Sequence, residues 1–117
     1  MGRLTTHVLD LAAGVPGKGI AVELSRLTGP DRHVVARAVT NADGRCDKPV
    51  LEGEGFAPGV YELAFAVGDY YAGAGVAGPE PRFLDVVVIR FGIASAEQHY
   101  HVPLLVSPFG YSTYRGS

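Results

Sequence analysis

The chain has 117 residues, 47% of them hydrophobic and 19% charged, and a formal net charge of -2. That is one domain's worth of ordinary globular sequence, 1–117, with room for a single core but none for a separate substrate domain. Its ten basic residues are scattered rather than blocked, its one cysteine excludes an intrachain disulfide framework, and no apolar run approaches the ~20 residues that cross a bilayer, so no nucleic acid and no membrane is expected as partner.

The opening MGRLTTHVLD lacks the apolar h-region of a secretory signal, which points to a cytoplasmic protein. Sixteen glycines and eight prolines cluster between short apolar stretches, the punctuation of an all-β chain. Strands are predicted near 4–11, 19–28 and 33–40, a short one near 45–50, then near 59–67, 84–93, 99–107 and 110–115. Eight strands at intervals of about a dozen residues fit a two-sheet β-sandwich. One short helix is predicted over Gly68 to Gly75, with Asp69 as its cap and Gly75 as its stop.

Alternation assigns the faces. Ile20, Val22 and Leu24 share an inner face, with Glu23 and Ser25 opposite. Tyr61, Leu63, Phe65 and Val67 form another inner set, with Glu62 outward. Two strands are apolar on both sides: Val86 and Val88 oppose Val87, Ile89 and Phe91, while Val102, Leu104 and Val106 oppose Pro103 and Leu105. A small sandwich has to hide such a second face, and the natural place is against another subunit. Pro103, which has no N–H for a ladder, argues for an edge or irregular position.

The groups able to do chemistry lie on the non-core faces. His99 and His101 point to one side of their strand, away from Tyr100, and His7 shares a face with Thr5, opposite Leu4 and Val8. An unperturbed imidazole titrates near pH ~6.5 and exchanges protons readily at neutrality. An H-x-H pair with a third histidine is also the ligand count of an open zinc site. Same-face strand neighbours are near the limit of reach for one small ion, however, and no carboxylate adjoins them, so no metal is assigned. Arg45 follows Asp43-Gly44 and reads locally as a turn residue entering a strand. Cys46, between Arg45 and Asp47, reads as a small turn or edge residue, with its two neighbours pulling its thiol in opposite directions. His33, after the Gly29-Pro30-Asp31-Arg32 turn, reads as solvated. No G-x-S-x-G elbow or phosphate-cradling glycine loop is present.

The ending HYHVPLLVSPFGYSTYRGS, the opening LTTHVLD with its Gly14-Val15-Pro16-Gly17-Lys18-Gly19 turn, and the central Asp43-Gly44-Arg45 resemble the signatures of the hydroxyisourate-hydrolase branch of the transthyretin-like family. The resemblance runs end to end, and the final Tyr-Arg-Gly-Ser is its most specific part, because hormone-carrying transthyretins lack it. Leu11 and Gly17 depart from the pattern, which has a Thr and an Ala there; neither is a chemical group.

The resemblance implies a transthyretin-like sandwich that hydrolyses 5-hydroxyisourate to 2-oxo-4-hydroxy-4-carboxy-5-ureidoimidazoline in purine catabolism, without a cofactor. It implies a homotetramer, a dimer of dimers, with the sites at the subunit interface. His7 and His101 would activate water, Arg45 would clamp the substrate, and Ser117 would position water or substrate. Tyr114, Arg115 and Gly116 would hold the end in place and help bind substrate, Gly116 by adopting a backbone conformation closed to other residues. Two competing readings make different demands. A small-ligand carrier needs an apolar channel, which these cationic groups would spoil; an accessory sandwich without a pocket would leave them facing solvent separately.

Overall fold

A computed structural model describes residues 1–116. The strands, in chain order, are β1 (Arg3–Asp10), β2 (Val15–Pro16), β3 (Ala21–Thr28), β4 (Asp31–Val39), β5 (Leu51–Glu52) and β6 (Gly59–Phe65). Helix α1 (Val67–Gly73) then leads to β7 (Val87–Ile93), β8 (Tyr100–Ser107) and β9 (Gly110–Thr113). The strands make two sheets, β2-β1-β8-β9 with β5 also on β1, and β4-β3-β6-β7. Every pairing is antiparallel except β1 with β8. The all-β two-sheet sandwich with one short helix is therefore as the sequence predicts.

Between the sheets lies one core. Leu4, Val8, Leu104 and Val106 meet Ile20, Val22, Leu24, Leu63 and Phe65, all essentially without exposure. At ~1.5 to 3 kcal/mol for each large side chain removed from water, this burial is the main stabilising term. The alternation that predicts it holds with two exceptions. Ser25 and its β6 partner Glu62 lie on the outward face yet are buried, Glu62 being covered by Arg32 at 3.2 Å and Arg90 at 2.9 Å.

Several predicted boundaries and positions need correction. The short strand near 45–50 is absent; residues Leu51–Glu52 pair instead, and Val15–Pro16 forms a second two-residue strand. Neither piece is long enough to show a period, and both exist only because β1 offers a partner. Helix α1 starts after Ala66 with no side-chain cap, leaving Asp69 in the first turn rather than at the cap. Gly75, with φ near 78°, does end it. Pro103 sits in a strand flanked on both sides, not at an edge. It is tolerated because β9 pairs only from Leu104 onward, where Thr113 is the last partner.

One feature of the β1 edge positions the chemistry. β8 occupies one edge of β1 along Leu4 to Asp10, so β2 and β5 must share the other, and they cover only its two ends. The middle of that edge is filled by the 41–45 turn: Val8 N donates to Gly44 O at 2.8 Å, and His7 forms an isolated bridge with Arg45. Gly44 has φ near 76°, and a Cβ there would collide with the Val8 carbonyl oxygen, so the close approach requires glycine.

Candidate active site

The parallel register of β1 with β8 sets Thr5 opposite His101 and His7 opposite Pro103. Thr5, His7 and His101 thus occupy one outward face of this sheet, half-buried, while Leu4, Val8, Val102 and Leu104 anchor the other side in the core. The 41–45 turn is shaped by Asn41, whose Oδ1 accepts from Asp43 N at 2.9 Å and Arg45 N at 3.2 Å, while Asn41 N donates to Arg45 O at 2.7 Å. That turn carries Arg45 to the same face. The chain's end returns there too: Gly116 N donates to His101 O at 2.7 Å.

Beside them lies a hollow of about 360 Å³ lined by Arg3, Thr5, Thr6, Arg45, Cys46, Lys48 and His101; His7 shares the sheet face but is not among the lining residues. The size suits a small bicyclic ring. Each imidazole is held by a specific contact. His7 Nε2 lies 2.9 Å from Asp43 O, an acceptor only, so that nitrogen carries the hydrogen and the lone pair of the neutral ring is on Nδ1. His101 Nδ1 lies 2.8 Å from Thr5 Oγ1. Burial first, then the positive charges of Arg45 and His7, hold His101 below its ordinary value of 6.5, with a hydrogen bond to the Thr5 backbone pulling the other way. His101 is therefore neutral, and able to accept a proton, across the neutral range.

The other predicted residues are placed differently. Gly116 meets His101, but its φ is not in the left-handed region; what matters is the missing side chain, since a Cβ would lie 2.6 Å from His101 Cδ2. Tyr114 and Arg115 line a separate hollow with Phe91 and Tyr100. Arg115 stacks over the Tyr100 ring at 4.0 Å and donates to His99 O at 2.9 Å and Gln98 Oε1 at 3.1 Å, which pins the terminal segment. Ser117 lies outside the described residues. His99 precedes β8 and does not line the hollow with His101, and His33 is exposed. Among the described residues, no three His, Cys, Asp or Glu side chains gather as a metal ligand set.

Cys46 lines the hollow, its thiol pushed up by burial and then by Asp47. Arg3, Thr5 and Lys48 line it as well, although sequence reasoning singled out none of them. Thr5 was legible in principle, being two residues before His7 on one strand face; Lys48 was not, because only the folded 41–50 loop brings it round. A larger hollow of about 540 Å³, on the β4-β3-β6 sheet, is lined mostly by Ala and Val and contains no histidine.

A two-sheet sandwich with imidazoles and a guanidinium gathered on one sheet face defines a transthyretin-like domain whose ligand hollow is polar and cationic rather than apolar. The model of the HIUase/Transthyretin family matches residues 4–116, and the chain belongs to that family. Among its relatives, the 5-hydroxyisourate hydrolase of Pseudomonas aeruginosa is 66% identical over 117 residues, covering 100% of this chain and 93% of that protein. The crystal structure of an (S)-allantoin synthase superposes with a TM-score of 0.94 and 46% identity over 99% of this chain, which spans only 44% of that longer protein. Sea bream transthyretin in complex with thyroxine superposes with a TM-score of 0.86 at 29% identity, covering 97% of this chain and 94% of that one.

Proposed function

We propose that this chain hydrolyses 5-hydroxyisourate in purine catabolism, opening the ring at an amide-type carbonyl, and that it works as a single 1–117 domain without a cofactor. The observation that carries the reading is that His101 and Arg45 line one polar hollow, with His7 bridged to Arg45 and Gly116 bridged to His101 beside it. The 66%-identical relative named for that hydrolysis supports it.

In this mechanism His101 donates Nδ1–H to Thr5 Oγ1, leaving the Nε2 lone pair to take a proton from water. The hydroxide equivalent adds to the carbonyl carbon. Arg45 presents its planar fork to the oxygen that becomes negative, a larger interaction in the tetrahedral state than in the flat one. Collapse breaks the ring C–N bond, and the proton held on imidazole passes to the departing nitrogen. His7, fixed by Asp43 O, orients water or ring through Nδ1. Gly116 and Arg115 hold the chain end beside His101, Tyr114 packs in the neighbouring hollow instead of reaching the substrate, and Ser117 completes the substrate contacts. The substrate is already electrophilic, so positioning, one base and one cation suffice.

The working form is a homotetramer, a dimer of dimers, with the hollow at the subunit interface. Supporting this, β7 and β9 are free edges on the same side of the sandwich, every residue of β9 is exposed, and Phe109, Leu11 and Tyr111 are exposed apolar groups near the same sheet. The proposed compartment is the cytoplasm, where the single thiol of Cys46 stays reduced. No helix of the described residues is long and apolar enough to cross a membrane.

The test is to generate hydroxyisourate from urate with urate oxidase and follow its transient ultraviolet absorbance. Faster decay with the protein present supports the reading; decay at the spontaneous rate refutes it.

A further inference from the structure

We infer that Arg3 and Lys48 form an electrostatic guide at the mouth of the hollow, selecting an anionic ring and speeding its capture; the inference rests on the hydrolase reading and adds the charge state of the substrate it takes. The hollow's wall holds three of the chain's ten basic residues and none of its twelve acidic ones, although the chain as a whole is net negative. Charge of one sign is thus collected where a ligand enters.

Arg3 stands on the same β1 face as Thr5 and His7, one step outward at about 7 Å along the strand. Lys48 joins the lining from the loop after Arg45. Two carboxylates stand near the wall, and neither lines it. Glu52 faces Arg3 across the β1–β5 ladder, yet no ion pair joins them within the described residues, and Asp47 accepts from Asn41 Nδ2 at 3.0 Å.

Neither Arg3 nor Lys48 makes a side-chain hydrogen bond within the described residues, and both are exposed, so they do not brace the fold. Flexible exposed cations bind weakly through fixed geometry but act through their field, which needs none. The matching ligand chemistry is a carbonyl-rich ring whose acidic imide N–H has been lost, with negative charge spread over its oxygens. Arg45 and His101 then receive an anion that Arg3 and Lys48 have already concentrated.

The experiment compares wild type with the Arg3→Gln/Lys48→Gln double variant in hydroxyisourate turnover from ~10 mM to ~500 mM salt, over which the screening length falls from about 30 Å to a few ångströms. The wild-type kcat/KM should fall with salt. The double variant should be about fivefold lower at ~10 mM, with the loss carried by KM, and should converge on wild type at ~500 mM. The charge-reversed Arg3→Glu/Lys48→Glu protein should lose about twentyfold at low salt and recover as salt is added. Parallel salt slopes, or an equal loss at every salt concentration with a lowered thermal midpoint, would overturn the guide.

If wild type fails to accelerate the reaction, the hydrolase reading falls on its own account, and urate, a stable anionic ring, decides the guide by equilibrium dialysis. A Kd weakened by the same factor in the double variant at low salt upholds it. Equal affinities, or no binding by wild type, defeat it.

Discussion

Replacing Gly116 with alanine tests how the chain end controls the base. A Cβ built at this position lies 2.6 Å from His101 Cδ2, 3.2 Å from Cγ and 3.3 Å from Cβ, so about 0.8 Å must be found before ordinary van der Waals contact at 3.4 Å is restored. Two movements can supply it. The imidazole can swing away, which breaks its 2.8 Å contact with Thr5 Oγ1, or the terminal backbone can lift, which breaks the 2.7 Å bond from Gly116 N to His101 O. Either way a reacting group moves by nearly 1 Å, and misplacement on that scale costs about 10²-fold in rate. The global fold loses only one hydrogen bond near its terminus, about 1 kcal/mol, so the thermal midpoint should fall by roughly 5 °C or less. Hydroxyisourate decay kinetics beside a melting curve read both quantities. Wild-type turnover by Gly116→Ala would refute the reasoning, as would a collapse of the melting temperature that accounts for the whole loss.

Thr5→Val removes the side-chain partner of His101 Nδ1 at nearly constant volume, so turnover should drop about tenfold as the imidazole loses its orientation, whereas Thr5→Ser should restore it. Wild-type turnover by Thr5→Val would remove the Thr5 hydroxyl from the mechanism. Arg45→Lys keeps the charge but loses the fork, so kcat/KM should fall by about 10- to 100-fold; wild-type kinetics would leave Arg45 a turn residue. Asp10→Asn should cost about 2 to 3 kcal/mol by denaturant unfolding, since its buried carboxylate accepts from Tyr70 Oη at 2.7 Å, Tyr71 Oη at 2.9 Å, Ala12 N at 3.0 Å and Ala13 N at 3.2 Å. Burial pushes this carboxyl up, but those four donors outweigh it and set its folded pKa below the ordinary 3.8, while Tyr70 is pushed up to about 12. The unfolded chain therefore binds the proton more readily. The stability gap between wild type and Asp10→Asn should be full above about pH 4 and shrink as pH falls through the folded value. A gap constant from pH 7 to pH 2 would contradict this.

The sequence discloses what depends on short-range order. Alternation along β1 is enough to put His7 beside Thr5 and away from Leu4 and Val8, and the same rule finds the inner faces of β3 and β6. It misses the burial of Ser25 because what covers an outward face is not written in one strand's alternation, and it misses β2 and β5 because two residues carry no period. Pro103 misleads for a similar reason: its missing N–H signals an edge, yet a strand end on the neighbouring β9 serves as well. The site follows the same division. His7, Arg45 and His101 stand out by chemical type and by resemblance, but their fastening does not. The Thr5 to His101 contact spans 96 residues, the Asp43 carbonyl has no sequence mark at all, and the Asp10 cluster joins residues 60 apart that only the packed helix brings together.

The most direct measurement is the pre-steady decay of freshly generated hydroxyisourate with wild-type protein and with His101→Asn side by side, both verified as folded. The hollow as described predicts clear acceleration by wild type and a rate lower by about two to four decades for the variant, the ordinary worth of a positioned base. Equal acceleration by both proteins would show that the imidazole on β8 is a bystander and that water is activated elsewhere.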